Sequence, residues 1–87
     1  MTTQTLTPAA LRHVENEIPV GLVDGVNMVY QTQNVFYAGT LTVYLNGIKL
    51  LPGIGRDYEI LPNNQGFVMN YAPLVGDIVD VSYFRQS

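Results

Sequence analysis

Apolar and polar positions alternate along most of this chain, and turn signals interrupt the alternation every 8–12 residues or so. The clearest stretch is "LTVYLNGIKLLPG", residues 41–53. Leu41, Val43 and Leu45 point one way along an extended chain, and Thr42, Tyr44 and Asn46 the other, as in a sheet with one buried face. Asn46-Gly47 suits the positive φ angles of a type I′ turn, so "IKLL" returns as the partner strand of a hairpin. Upstream, "PVGLV" and "VNMVYQT" predict two short strands parted by the turn pair Asp24-Gly25, and "VFYAG" leads into the hairpin. Downstream, "DYEIL" predicts a strand with Tyr58 and Ile60 inward, and "PNNQG" a turn. "FVMNY" predicts a strand with Phe67, Met69 and Tyr71 inward. "APLVGD" is a further turn before the last strand, "IVDVSYF", where Val79, Val81 and Tyr83 share a face opposite Asp80 and Ser82.

The amino-terminal stretch has a different period. Residues 1–7 are rich in Thr and Gln. In "TPAALRHVENEI", Thr7 suits an N-cap and Pro8 the first helical position, which predicts a helix of two or three turns ending near Asn16. Leu11, Val14 and Ile18 would share a face at i, i+3 and i+7. So short a helix needs that face packed against its own sheet or a neighbouring subunit. The expected architecture is mainly β: a small antiparallel β-sandwich or barrel of about six to eight short strands, with a short N-terminal helix or arm. Residues 1–17 form the arm and 18–87 the sandwich. The alternative is an α+β domain whose helix covers one sheet face. No internal repeat or low-complexity segment is present.

Composition changes the picture in one respect. Hydrophobic residues make up 47% of the 87 residues and charged residues only 13%, about half the usual ~25%. A globule this small and this poor in charge cannot cover itself with polar surface. Apolar patches on such a domain imply contact with another chain, so a homo-oligomer or a docked subunit is expected. The net charge is −3, and Arg12, Lys49, Arg56 and Arg85 are scattered. No basic stripe exists for phosphate contacts, which argues against nucleic acid. The amino terminus has no signal-peptide pattern, and no apolar run approaches the ~20 residues of a membrane helix. With no cysteine, disulfides and thiolate metal sites are ruled out.

Little in the sequence points to catalysis. His13, the sole histidine, falls on the expected helix beside Glu15 and Glu17, without a nucleophile on a rigid element. Asp57 and Glu59 share a strand face at i, i+2, but Tyr58 and Ile60 take the inward face. The two carboxylates read as solvated charges that discourage edge pairing. Asp24 and Asp77 lie in turns, where carboxylates cap backbone N–H groups. "PNNQG" has too little charge for a calcium loop. "GIGRD" lacks the Lys, the third Gly and the helix of a phosphate loop; Arg56-Asp57 reads as a local ion pair. No catalytic, metal or cofactor site is expected. Six of the nine aromatics are Tyr. Cross-strand pairing accounts for about half of them, and Tyr44 and Phe84 are the first candidates for a contact face.

Taken as a whole, "VDGVNMVYQT", "GTLTVYLNGIKLLPGIGRDYEI" and "GFVMNYAPLVGDIVDVSYF" resemble a small β-rich module of tailed-bacteriophage structural proteins. The matching residues run from Gly21 through Asp24-Gly25, Tyr30, the "VYLNG" hairpin at Val43 to Gly47, Asp57-Tyr58, Tyr71-Ala72-Pro73 and Gly76-Asp77 to Tyr83. The order and spacing of these elements bear the likeness, which covers residues 21–84. One departure is the longer link "LPGIGRDY". The resemblance implies a compact antiparallel sandwich and a non-enzymatic virion building block, made in the host cytoplasm. As a lone module it fits a self-associating head-decoration, neck or tail accessory subunit that contacts other virion proteins. The second reading is a carbohydrate-binding module for host-surface glycans, built on Tyr44 and its neighbours. The candidate interface residues are Leu11, Val14, Thr42, Tyr44, Asn46 and Phe84.

Overall fold

The computed structural model describes residues 12–86. Among the described residues seven strands follow in the order β1 (His13–Glu17), β2 (Val29–Gln31), β3 (Thr42–Leu45), β4 (Ile48–Lys49), β5 (Tyr58–Ile60), β6 (Gly66–Met69) and β7 (Val79–Phe84). They build two antiparallel sheets, one of four strands in the order β1-β7-β3-β4 and one of three in the order β2-β6-β5. The two inner faces pack into one core, the β-sandwich expected from periodicity. No helix occurs among the described residues, so none there is long and apolar enough to cross a membrane.

The alternation in the sequence decides which side chains enter the core. Val79, Val81 and Tyr83 on β7 are buried with Leu41 and Val43 of the adjoining β3 segment, facing Tyr30, Tyr58, Phe67 and Met69 of the other sheet. Phe67 lies at the centre of an aromatic group, 5.6 Å from the Tyr30 ring and 5.9 Å from Tyr58, with centroids as reference. Three of the largest buried side chains are tyrosines, and each hydroxyl has a partner. Tyr30 donates to the Leu22 carbonyl at 2.9 Å, Tyr58 to the Leu41 carbonyl at 3.3 Å, and Tyr83 to Glu17 Oε1. A buried phenol needs such a partner to offset the loss of water. Burial is the first cause holding the Tyr30, Tyr58 and Tyr83 pKa values above the usual tyrosine range.

Turn chemistry follows the sequence closely. Asn46 and Gly47 have φ angles of 52° and 82°, and Leu45 pairs with Ile48 across the two-residue loop. The left-handed region is costly for a residue with a Cβ, which is why Asn-Gly stands there. Gly66 is needed for a different reason. A Cβ at this position would lie 2.7 Å from the Tyr30 carbonyl oxygen and 2.9 Å from Leu61 Cδ1.

The amino-terminal expectation divides at residue 12. Thr7, Pro8 and Leu11 lie outside the described residues. The remainder of the expected helix is strand β1, paired with the edge of β7 through His13↔Phe84, Val14↔Tyr83 and Glu17↔Val81. Residues 13–17, assigned above to an arm, are thus part of the four-stranded sheet. The physical reason is tertiary. A helix of two turns is marginal alone, whereas β7 offers a ladder and Val14 packs against the core. Asn16, at φ 57°, makes a bulge where the register shifts between Val14 and Glu17. The extra residue turns Glu17 to the inner side, where its Oε1 accepts from Tyr83 and its Oε2 from the Gln33 N–H at 2.9 Å.

Other expected strands are shorter than the pattern suggested. "PVGLV" contributes one bridge, Val20↔Gln31, and "VFYAG" one, Phe36↔Arg85. Ile60 ends edge strand β5 and is 37% exposed, and Tyr71, two residues beyond β6, is 42% exposed. In the "GIGRD" loop, Asp57 Oδ2 accepts from the Leu51 N–H at 2.8 Å, so this carboxylate holds the loop's backbone.

Candidate interaction surfaces

The outer face of the four-stranded sheet collects most of the polar alternates. Cross-strand partners share a face, so Thr42 stands beside Ser82, Tyr44 between Asp80 and Lys49, and His13 beside Phe84. The His13 and Phe84 rings stack at 4.5 Å and 28°. His13 Nδ1 lies 3.4 Å from Glu15 Oε1, so the sole histidine belongs to a surface ring stack. Tyr44, Thr42 and Phe84 are half-buried and lie on the face expected for them. Ser82 Oγ accepts from the Asn16 N–H at 3.3 Å, which ties the bulge of β1 to this face.

The other candidate residues go elsewhere. Asn46 turns away to the loop before β7: its Nδ2 donates to Asp77 Oδ1 at 3.0 Å, and its Oδ1 accepts from the Ile78 N–H at 2.8 Å. Asn46 thus clamps the β3–β4 turn to that loop and is half of an internal contact. Val14 faces inward against the core. Leu11 lies outside the described residues.

A second surface is built by two loops, residues 18–28 and 70–78, at the end of the sandwich where β7 begins. The Gly25 N–H donates to the Pro73 carbonyl at 2.8 Å, joining them. Asp24 Oδ1 accepts from Val26 and Asn27 N–H groups at 2.9 and 2.8 Å, and Asp77 Oδ2 from the Leu74 N–H at 2.9 Å. Both carboxyl groups have lowered pKa values, Asp24 chiefly from the Asn27 N–H and Asp77 chiefly from the Asn46 amide. This is the capping role that their turn positions imply. Between the loops lies an open groove of about 230 Å³, lined by Ile18, Pro19, Val23, Tyr30, Ile78 and Val79 with Asp77 as its charged member.

What sequence reasoning missed is how apolar this end is. Among the described residues fifteen large hydrophobic side chains are exposed, and nine fall in these two loops. Leu22 is 71%, Val26 79% and Val75 80% exposed. The stretches are "IPVGLVDGVNM" and "APLVGDI"; the alternation of the first reads as strand, yet apart from the Val20 bridge it is loop, and its aliphatics stay exposed. Among the described residues no three His, Asp or Glu side chains gather in a way that could hold a metal ion.

Comparison of the chain with protein-family models, with curated proteins and with solved structures finds no match.

Proposed function

We propose that this chain is a non-enzymatic structural subunit of a tailed-bacteriophage virion, a self-associating head-decoration, neck or tail accessory protein. The observation that supports self-association is the concentration of exposed aliphatic side chains in residues 18–28 and 70–78 of a domain with few charges. Exposed apolar surface gathered on one patch is what an assembly contact requires. The virion assignment rests on the motif resemblance. It is consistent with the use made of the motif residues: Asp24 caps a turn, Asn46-Gly47 closes a hairpin, and Asp77 receives the Asn46 clamp. These residues serve the scaffold, as expected of a building block. Light scattering on the purified chain, together with co-sedimentation with purified phage particles, tests the proposal. Self-association and particle binding are expected; a strictly monomeric chain that binds neither heads nor tails refutes it.

A second reading draws on the sheet face. Tyr44 flanked by Asp80, with the hydroxyls of Thr42 and Ser82 on the same face, combines an aromatic plane with the acceptors and donors that a sugar uses. Glycan-array binding that is lost in Tyr44→Ala is the outcome that favours a carbohydrate-binding module, and a blank array removes it.

A further inference from the structure

We infer that the apolar end formed by residues 18–28 and 70–78 is the self-association face, and that its occupant is the same end of a second copy of this chain. The inference rests on the reading of the protein as a self-associating subunit and says where and how it does so. Three observations bear on the occupant.

The first is area. Ile18, Leu22, Val26, Leu74, Val75 and Ile78 each expose three-fifths or more of their surface. Together they offer on the order of 800 Å², about what one partner contributes to a standard-size interface.

The second is shape. A two-fold interface requires one patch to contain both the projection and the recess that receives it. Here the recess is the groove between Ile18 and Ile78, and the exposed aliphatics Leu22 and Val75 stand on the loops that contribute to it.

The third is charge. Residues 18–28 and 70–78 contain no Lys or Arg, and their charged residues are Asp24 and Asp77. Both carboxylates are turned to N–H donors of their own loops and of Asn46. An acidic partner or an anionic bilayer finds no Lys or Arg on either loop, and such surfaces are drawn to those residues. A basic partner finds two carboxylates among nine exposed large hydrophobic side chains, with Asp24 Oδ1 and both Asp77 oxygens held by N–H donors. An equally apolar surface is the chemistry that fits.

The test is light scattering with sedimentation equilibrium on the full chain and on three variants, Leu22→Asp, Val75→Asp and Tyr44→Asp. Leu22 and Val75 lie on separate loops and are exposed, so each substitution leaves the core intact, which far-ultraviolet dichroism and the thermal transition report. A dimer is expected for the wild type, weakened at least about 100-fold by either aliphatic-to-Asp change, because each charge enters the two-fold interface twice. Tyr44→Asp is expected to leave the dimer unchanged. A dimer that persists in Leu22→Asp and Val75→Asp but is lost in Tyr44→Asp overturns this inference and leaves self-association standing. A wild type that stays monomeric at high concentration overturns both, and binding of that monomer to phage particles or to lipid vesicles through the same end assigns the patch to a different partner.

Discussion

Replacing Tyr83 by Phe separates a hydrogen-bonded latch from simple burial. The ring would keep its place near Phe36, 5.8 Å away between centroids, so little apolar contact changes. What disappears is the hydroxyl that donates to Glu17 Oε1 and accepts from Asn34 Nδ2 at 3.1 Å. A hydrogen bond to a charged group contributes about 1.5–3 kcal/mol. Glu17 is half-exposed and retains the Gln33 N–H, so water recovers part of the loss and the expected cost falls to about 1–2 kcal/mol. In urea, with a slope of roughly 1 kcal/mol/M for so small a domain, the midpoint should fall by about 1–2 M. Glu17→Gln can still accept from Tyr83 but loses the charge, and should cost about half as much. The double variant should then show a coupling of at least ~0.5 kcal/mol. The result depends on the β1 bulge, since only the extra residue at Asn16 brings Glu17 to the inner side. Were residues 13–17 helical, as their sequence suggests, the two changes would be independent. A Tyr83→Phe midpoint equal to wild type, or an additive cycle, would refute the latch.

Three further expectations follow from the geometry. Gly66→Ala places a methyl group against the Tyr30 carbonyl oxygen and should destabilise by about 1–3 kcal/mol through overpacking; chemical denaturation with an unchanged midpoint would contradict the close approach. Asp24 and Asp77 have folded pKa values below the ordinary carboxylate value of 3.8, so the stability they contribute is present above that value and is lost as pH falls through their lower folded ones. The thermal midpoint of wild type should fall below about pH 4, and Asp77→Asn should flatten that dependence; equal slopes would argue against the capped carboxylate. The raised pKa values of Tyr30, Tyr58 and Tyr83 have the opposite sign: their contribution is intact below about pH 10 and is lost as pH rises beyond it. Absorbance at the tyrosinate band should show these three ionising only together with unfolding, whereas early titration of all six tyrosines would contradict their burial.

Sequence by itself determined the parts of this protein that local chemistry controls. The period-two pattern of Val79, Val81 and Tyr83 settles which face of β7 is buried, because a one-residue slip would expose the whole set. Asn46-Gly47 settles the hairpin, because few other pairs accept two positive φ angles. Asp24 and Asp77 announce capped turns. Tertiary structure decided the rest, and each case has the same cause: the outcome depends on a neighbour that is remote in the chain. His13–Glu17 reads as helix until the open edge of β7 is available to pair with it. Glu17 reads only as a neighbour of His13 at the end of the expected helix until the bulge at Asn16 sets it against Tyr83, 66 residues away. Asn46 reads as a contact residue until the loop before β7 arrives to receive its side chain. The apolar end is the clearest instance. Leu22 falls in an expected strand and Val75 in an expected turn, and only the folding of both segments to one end of the sandwich makes them a single surface.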